Sequence, residues 1–206
     1  MGKSQSKQPI SETKDGNYFR FALVGSSGSG KSAFVKAVRG VEDKDENAAI
    51  VGIVGAEQSP KEYIYPSHPH VSFCDMPGYG TPKYPDLQTY WRKLELEKFD
   101  SFLIFISNSV TALDLNLIQK VKSLNKSHLL VRTKIDVDCG MKNLTPPFKE
   151  DELLAKLMDD TVEQTGQLLC AEDIFLISNF DPYKLDFIRL IEAIMKIMPD
   201  PEIGEY

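Results

Sequence analysis

The sequence predicts an α/β fold in which a mostly parallel, doubly wound sheet carries helices on both faces. Three observations predict it. Short apolar runs alternate with longer amphipathic stretches; the runs are apolar almost throughout rather than at every second residue; and a glycine- and serine-rich turn joins the first run to the first amphipathic stretch. The runs are Phe19 to Val24, Val71 to Cys74, Phe102 to Ile106, Leu129 to Val131 and Ile174 to Ile177, each of strand length. Helices are predicted over Ser32 to Val38, Asp86 to Glu97, Ala112 to Leu124, Lys149 to Gly166 and Lys184 to Met198. Between Gly40 and His70 the chain is acidic and then broken by Gly52, Gly55, Pro60, Pro66 and Pro69, which predicts loops around a weak strand, with His68 and His70 in an exposed loop.

A chain of 206 residues, 42% of them hydrophobic, has room for one such domain with a substantial core. It is placed at residues 18–199, after a polar, flexible arm (1–17) and before a short tail (200–206). No apolar run approaches the roughly 18 residues of a membrane span. A net charge of −6 excludes broad nucleic-acid binding, which needs a basic face, so any phosphate site must be local. Cys74, Cys139 and Cys170 lack metal or disulfide spacing; Cys74 reads as core, and reduced thiols fit a cytoplasmic protein. Trp91, at helical spacing from neighbouring apolar residues, reads as packing or an assembly surface.

The turn after the first run is Gly25, Ser26, Ser27, Gly28, Ser29, Gly30, Lys31, Ser32, followed by Ala33. Between a strand and a helix this is a phosphate-binding loop: backbone N–H groups and the helix N-terminus face the phosphates, Lys31 reaches the β and γ phosphates, and Ser32 offers a hydroxyl to Mg²⁺. Asp75 closes the second run and is the candidate to hold Mg²⁺ through water; Gly78 can offer its N–H to a γ-phosphate, which assigns Lys31, Ser32 and Gly78 to catalysis. Thr133, Lys134 and Asp136 follow the fourth run. A carboxylate there accepts from guanine N1–H and the exocyclic amine, a donor pair adenine does not present, so Asp136 selects GTP or GDP over ATP. The stem of Lys134 can lie along the purine, Thr133 can brace the phosphate loop, and Ser178 and Asn179 can close the pocket on guanine O6.

Together G-S-S-G-S-G-K-S, D-M-P-G-Y-G-T-P-K-Y-P at 75–85, V-R-T-K-I-D at 131–136 and I-F-L-I-S-N at 174–179 resemble the immunity-related, interferon-inducible p47 GTPases. The resemblance implies a Ras-like P-loop G domain with GTP/GDP and Mg²⁺ as ligands. It also implies homo- or hetero-dimers through paired G domains with related GTPases, hydrolysis accelerated by that pairing, and action at intracellular membranes in cell-autonomous defence. Two departures stand out. No threonine occurs between Thr13 and Thr81, and Val51 and Glu57 stand where switch threonines are expected; Tyr79 replaces the glutamine that orients the attacking water in Ras-like enzymes. Slow intrinsic hydrolysis follows as an expectation. The helical segments that flank the G domain in that family are expected to be missing here in substance. The competing expectation is a non-hydrolysing regulator that pairs with full-length relatives.

Met1-Gly2-Lys3-Ser4-Gln5-Ser6 matches the myristoylation pattern at Gly2. One acyl chain with Lys3, Lys7 and Lys14 but no neighbouring cysteine predicts reversible, peripheral membrane association.

Overall fold

A computed structural model describes residues 18–40, 59–142 and 150–199. The arm with Gly2, the tail, and the switch positions Val51 and Glu57 lie outside the described residues. Six strands, β1 (Phe19–Gly25), β2 (Lys61–Tyr65), β3 (His68–Asp75), β4 (Ser101–Ile106), β5 (Ser127–Arg132) and β6 (Ile174–Leu176), form one sheet in the order β2-β3-β1-β4-β5-β6. All neighbours are parallel except β2 and β3. Among the described residues the α-helices are α1 (Lys31–Arg39), α2 (Leu87–Lys93), α3 (Ala112–Ser123), α4 (Ile135–Lys142), α5 (Glu150–Gln164) and α6 (Phe187–Ile197).

The apolar runs become strands because both faces of the sheet are covered. Side chains alternate along β1: Phe21 and Leu23 point to a layer with Phe34, Val35, Phe187 and Leu190, while Ala22 and Val24 point to one with Tyr90, Trp91, Leu117 and Ile118. Helices α1 and α6 thus cover one face, and α2 and α3 the other. Trp91 is core: it stacks on Phe102 at 5.6 Å and is 8% exposed. Cys74 is also buried, and burial pushes its thiol up to about 12.

Three expectations need correction. His68 and His70 lie in β3 rather than in an exposed loop, because Pro66 and Ser67 make a tight turn that folds Lys61–Tyr65 back as an antiparallel edge strand. The stretch from Asp86 to Glu97 is not one helix. Asp86 caps α2 by accepting from the Thr89 N–H at 2.7 Å; Glu95, with φ 49°, breaks the helical path before a separate 3₁₀ turn at Leu96–Lys98. The last helix begins at Phe187 rather than Lys184, after Leu185 in the left-handed region. Helix α4, directly after Lys134, has no counterpart among the predicted helices.

The chain steps from β1 to β3 on one side and returns to β4 on the other. Succession therefore reverses at β1, and the crevice beyond its carboxyl end is where such sheets take ligands. Phe34 seats α1 there: it is fully buried, with the rings of Phe73, Phe105 and Phe187 at 5.9, 5.3 and 5.8 Å. Phe34→Ala is expected to lower the unfolding free energy by about 3–5 kcal/mol through lost burial and the cavity left behind, measured as a reduced urea midpoint at unchanged slope.

Candidate functional site

The loop between β1 and α1 is shaped by its last glycine. Gly30 has φ 95°, and a Cβ there would meet Thr133 Oγ1 at 2.8 Å and Asn179 Nδ2 at 3.0 Å. No side chain caps α1 at Gly30, so the first N–H groups of the helix are left facing the loop. Lys31 is 6% exposed and turns back over the loop, donating to the carbonyls of Gly25 at 3.0 Å and Ser26 at 2.8 Å and to Ser29 Oγ at 3.4 Å. Burial pulls its ammonium down to about 8, against the opposing pull of Asp75. Ser27 and Gly28 are exposed at the loop tip, while Ser29 is buried beneath it. Ala33 is the third residue of α1.

Ser32 Oγ donates to Asp75 Oδ2 at 2.5 Å, so the two residues assigned to Mg²⁺ meet across 43 positions of sequence. Burial raises the Asp75 carboxyl, while the Ser32 hydrogen bond and Lys31 lower it. A hydroxyl and a carboxylate in contact, at the rim of a cleft that Lys61, Tyr63 and Pro77 also line, make the hard-oxygen donor set that suits Mg²⁺. Such an ion, when bound, would neutralise charge on phosphate oxygens.

Gly78 packs against the same loop: a Cβ on it would stand 2.4 Å from the Ser27 backbone nitrogen. Tyr79 is paired with Ser26 by an isolated bridge, and its hydroxyl donates to Asp114 Oδ1. That tyrosine is 3% exposed, and burial, followed by the Asp114 charge, raises its pKa. The side chain therefore points at the start of α3, where Asp114 and Thr111 form a capping box. Tyr90 donates to the Pro77 carbonyl at 2.9 Å, and its ring stands edge-on to those of Tyr79 and Tyr84. The segment after Asp75 is thereby buttressed by aromatic residues. The T-x-x-D spacing at 111–114 is a helix-capping signal, but nothing in the sequence links it to Tyr79.

On the opposite side, Thr133 Oγ1 donates to the Ser29 carbonyl at 2.8 Å, the brace that its position predicted. Lys134 is exposed with φ 64°, and Asp136 is exposed in the first turn of α4. Asn179 Nδ2 donates to the Gly30 carbonyl at 3.1 Å, and its Oδ1 is buried without a partner among the described residues. Ser178 is 2% exposed and accepts from the Phe180 N–H at 3.2 Å. Asn179 thus commits its amide nitrogen to holding the phosphate loop. Thr133 and Asn179 thus meet the phosphate loop at Ser29 and Gly30, Asp75 meets it at Ser32 and Gly78 at Ser27, all beyond the carboxyl ends of the strands.

The family model for interferon-inducible GTPases matches residues 4–203. The chain belongs to the interferon-inducible GTPase family. Among its relatives, interferon-gamma-inducible GTPase 10 of Mus musculus is 29% identical over 181 residues, 86% of this chain and 43% of that protein. Interferon-inducible GTPase 5 of Rattus norvegicus is 32% identical over 172 residues, 82% of this chain and 37% of that protein. The chain thus spans less than half the length of these family members. In fold it is similar to the P-loop GTPase Era. A crystal structure of Era with MgGDPNP and ribosomal RNA aligns at TM-score 0.62 and 22% identity, over 92% of this chain and 60% of that one. Era of Aquifex aeolicus, bound to GDP and aluminium fluoride, aligns at TM-score 0.62 and 23% identity, over 89% and 57%. This fixes the fold of the family member as a Ras-like P-loop GTPase fold.

The depressed Lys31 gives the phosphate loop a pH signature. A phosphate-bearing ligand favours the charged amine, so above the free-chain pKa binding must take up a proton. Affinity is expected to be flat below about pH 8 and to fall by up to tenfold per unit above it, with net proton uptake in calorimetry in buffers of different ionisation enthalpy. Affinity unchanged up to about pH 9.5 would contradict this assignment.

Proposed function

We propose that the chain binds GTP and GDP with Mg²⁺ and hydrolyses GTP slowly, in a manner that depends on pairing of G domains with itself or with related GTPases. The observation that carries this reading is the convergence of three sequence-distant groups on one loop: Ser32 on Asp75, Gly78 on Ser27, and Thr133 on Ser29, with the exposed Asp136 beside the last. In the proposed reaction Lys31 draws charge from the β and γ phosphates, and the Gly78 N–H supports the γ-phosphate as the bond to the leaving phosphate breaks. Ser32 and Asp75 would hold Mg²⁺. Asp136 accepts from the guanine edge, Lys134 covers its face, and Ser178 closes the pocket.

Slow turnover is supported by Tyr79. The residue at the place of a water-orienting glutamine has its hydroxyl bound to Asp114 at the start of α3. A partner's G domain would have to supply what Tyr79 does not. The same observation favours a second reading, a nucleotide-bound regulator or scaffold that pairs with full-length relatives without turning over. Turnover per molecule measured against protein concentration separates them: a rate that climbs with concentration is expected, and near-zero hydrolysis at every concentration would leave the regulator.

The family's interferon-inducible description supports a place in cell-autonomous defence, and the Gly2 motif supports a cytoplasmic protein that visits intracellular membranes reversibly. Gly2→Ala is expected to move the protein from the membrane to the soluble fraction of expressing cells. An unchanged distribution would refute the acyl anchor.

A further inference from the structure

Helix α4 presents Asp136, yet it is only eight residues long and is entered through Lys134 in the left-handed region. Such a helix does not hold its own orientation. One face of it is anchored. Ile135 is fully buried against Leu153, Leu157 and Leu176, and three residues on, one turn along the same face, stands Asp138. Asp138 Oδ2 accepts from Arg132 Nη2 at 3.4 Å. Arg132, the last residue of β5, is 7% exposed, and its Nη1 donates at 2.9 Å to Thr161 Oγ1, which is fully buried in α5. Thr161 in turn donates to the Leu157 carbonyl at 2.6 Å. The backbone of Arg132 joins in: its carbonyl accepts from the Ile177 N–H at 2.9 Å, and the Ile177 carbonyl accepts from the Ile135 N–H at 3.3 Å.

A guanidinium taken out of water needs partners for its donors, and Arg132 Nε has none among the described residues. A charge held at that cost on the strand that leads directly to Thr133 and Asp136 calls for a role. We propose that Arg132 and Asp138 are positioning residues for guanine recognition: the pair, steadied by Thr161, locks the rotation of α4 so that Asp136 is aimed at the base. Because Ile135 and Asp138 fix the inward face, Asp136, one residue and about 100° further round the helix, is held on the outward face. The phosphate loop is braced separately, by Thr133 and Asn179, so loss of the pair should be felt at the base and not at the phosphates. This inference rests on the guanine reading of the site.

The test uses the full chain and three probes, GDP, ADP and inorganic tripolyphosphate, with dissociation constants measured for wild type, Asp138→Ala, Asp136→Ala and the double variant. Asp138→Ala is expected to weaken GDP about tenfold, to leave tripolyphosphate unchanged, and to have no further effect once Asp136 is alanine. Equal loss for GDP and tripolyphosphate, or fully additive losses in the double variant, would overturn the proposal in favour of a merely structural pair. If Asp138→Ala does not fold, Asp138→Asn, which keeps the shape and one acceptor, is read in the same way with a smaller expected loss. Should the wild-type chain bind ADP as tightly as GDP, the guanine reading itself fails, and the positioning role falls with it.

Discussion

Gly30 lies in a left-handed conformation between the Thr133 hydroxyl and the Asn179 amide, and the helix it opens has no side-chain cap. These facts depend on one another. A side chain at this position would collide with both braces, and a capping residue would satisfy the N–H groups that a phosphate loop leaves available. Since Thr133 holds the Ser29 carbonyl and Asn179 holds that of Gly30, the loops after β5 and β6 are tied to the loop after β1. Three connections beyond the carboxyl ends of the strands therefore meet at this one glycine.

The other wall is built differently. From Asp75 to Tyr90 the chain is held by aromatic rings and by hydroxyls that reach backbone or carboxylate groups: Tyr90 to Pro77, Tyr79 to Asp114. Gly78 can lie against Ser27 only because it lacks a side chain. Any movement of this segment must therefore either carry the start of α3 with it or break a buried hydrogen bond. On the proposed function, that couples the phosphate side of the site to α3.

Much of this was legible in the residues. Strand runs at 19–24, 71–74, 102–106, 129–131 and 174–177 all became strands, because burial on two faces demands continuous apolar sequence. The hairpin that makes His68 part of β3 was not legible, since Pro66-Ser67 is not a strong turn pair and β2 alternates poorly with three exposed positions. Helix α4 was hidden inside a motif read only for its side chains. The break at Glu95 comes from a left-handed residue that carries no glycine to announce it.

By itself the sequence determined the fold class, the phosphate loop and the identity of the polar groups around it, because periodicity and spacing encode local structure and a short loop must carry its own turn residues. Only the tertiary structure decided which of those groups are free to act. Asn179 is spent on Gly30, Tyr79 on Asp114 and Arg132 on Asp138 and Thr161, whereas Asp136 is left exposed. A hydrogen bond between residues 29 to 149 positions apart depends on how strands are ordered and helices laid across them, and no local pattern records that.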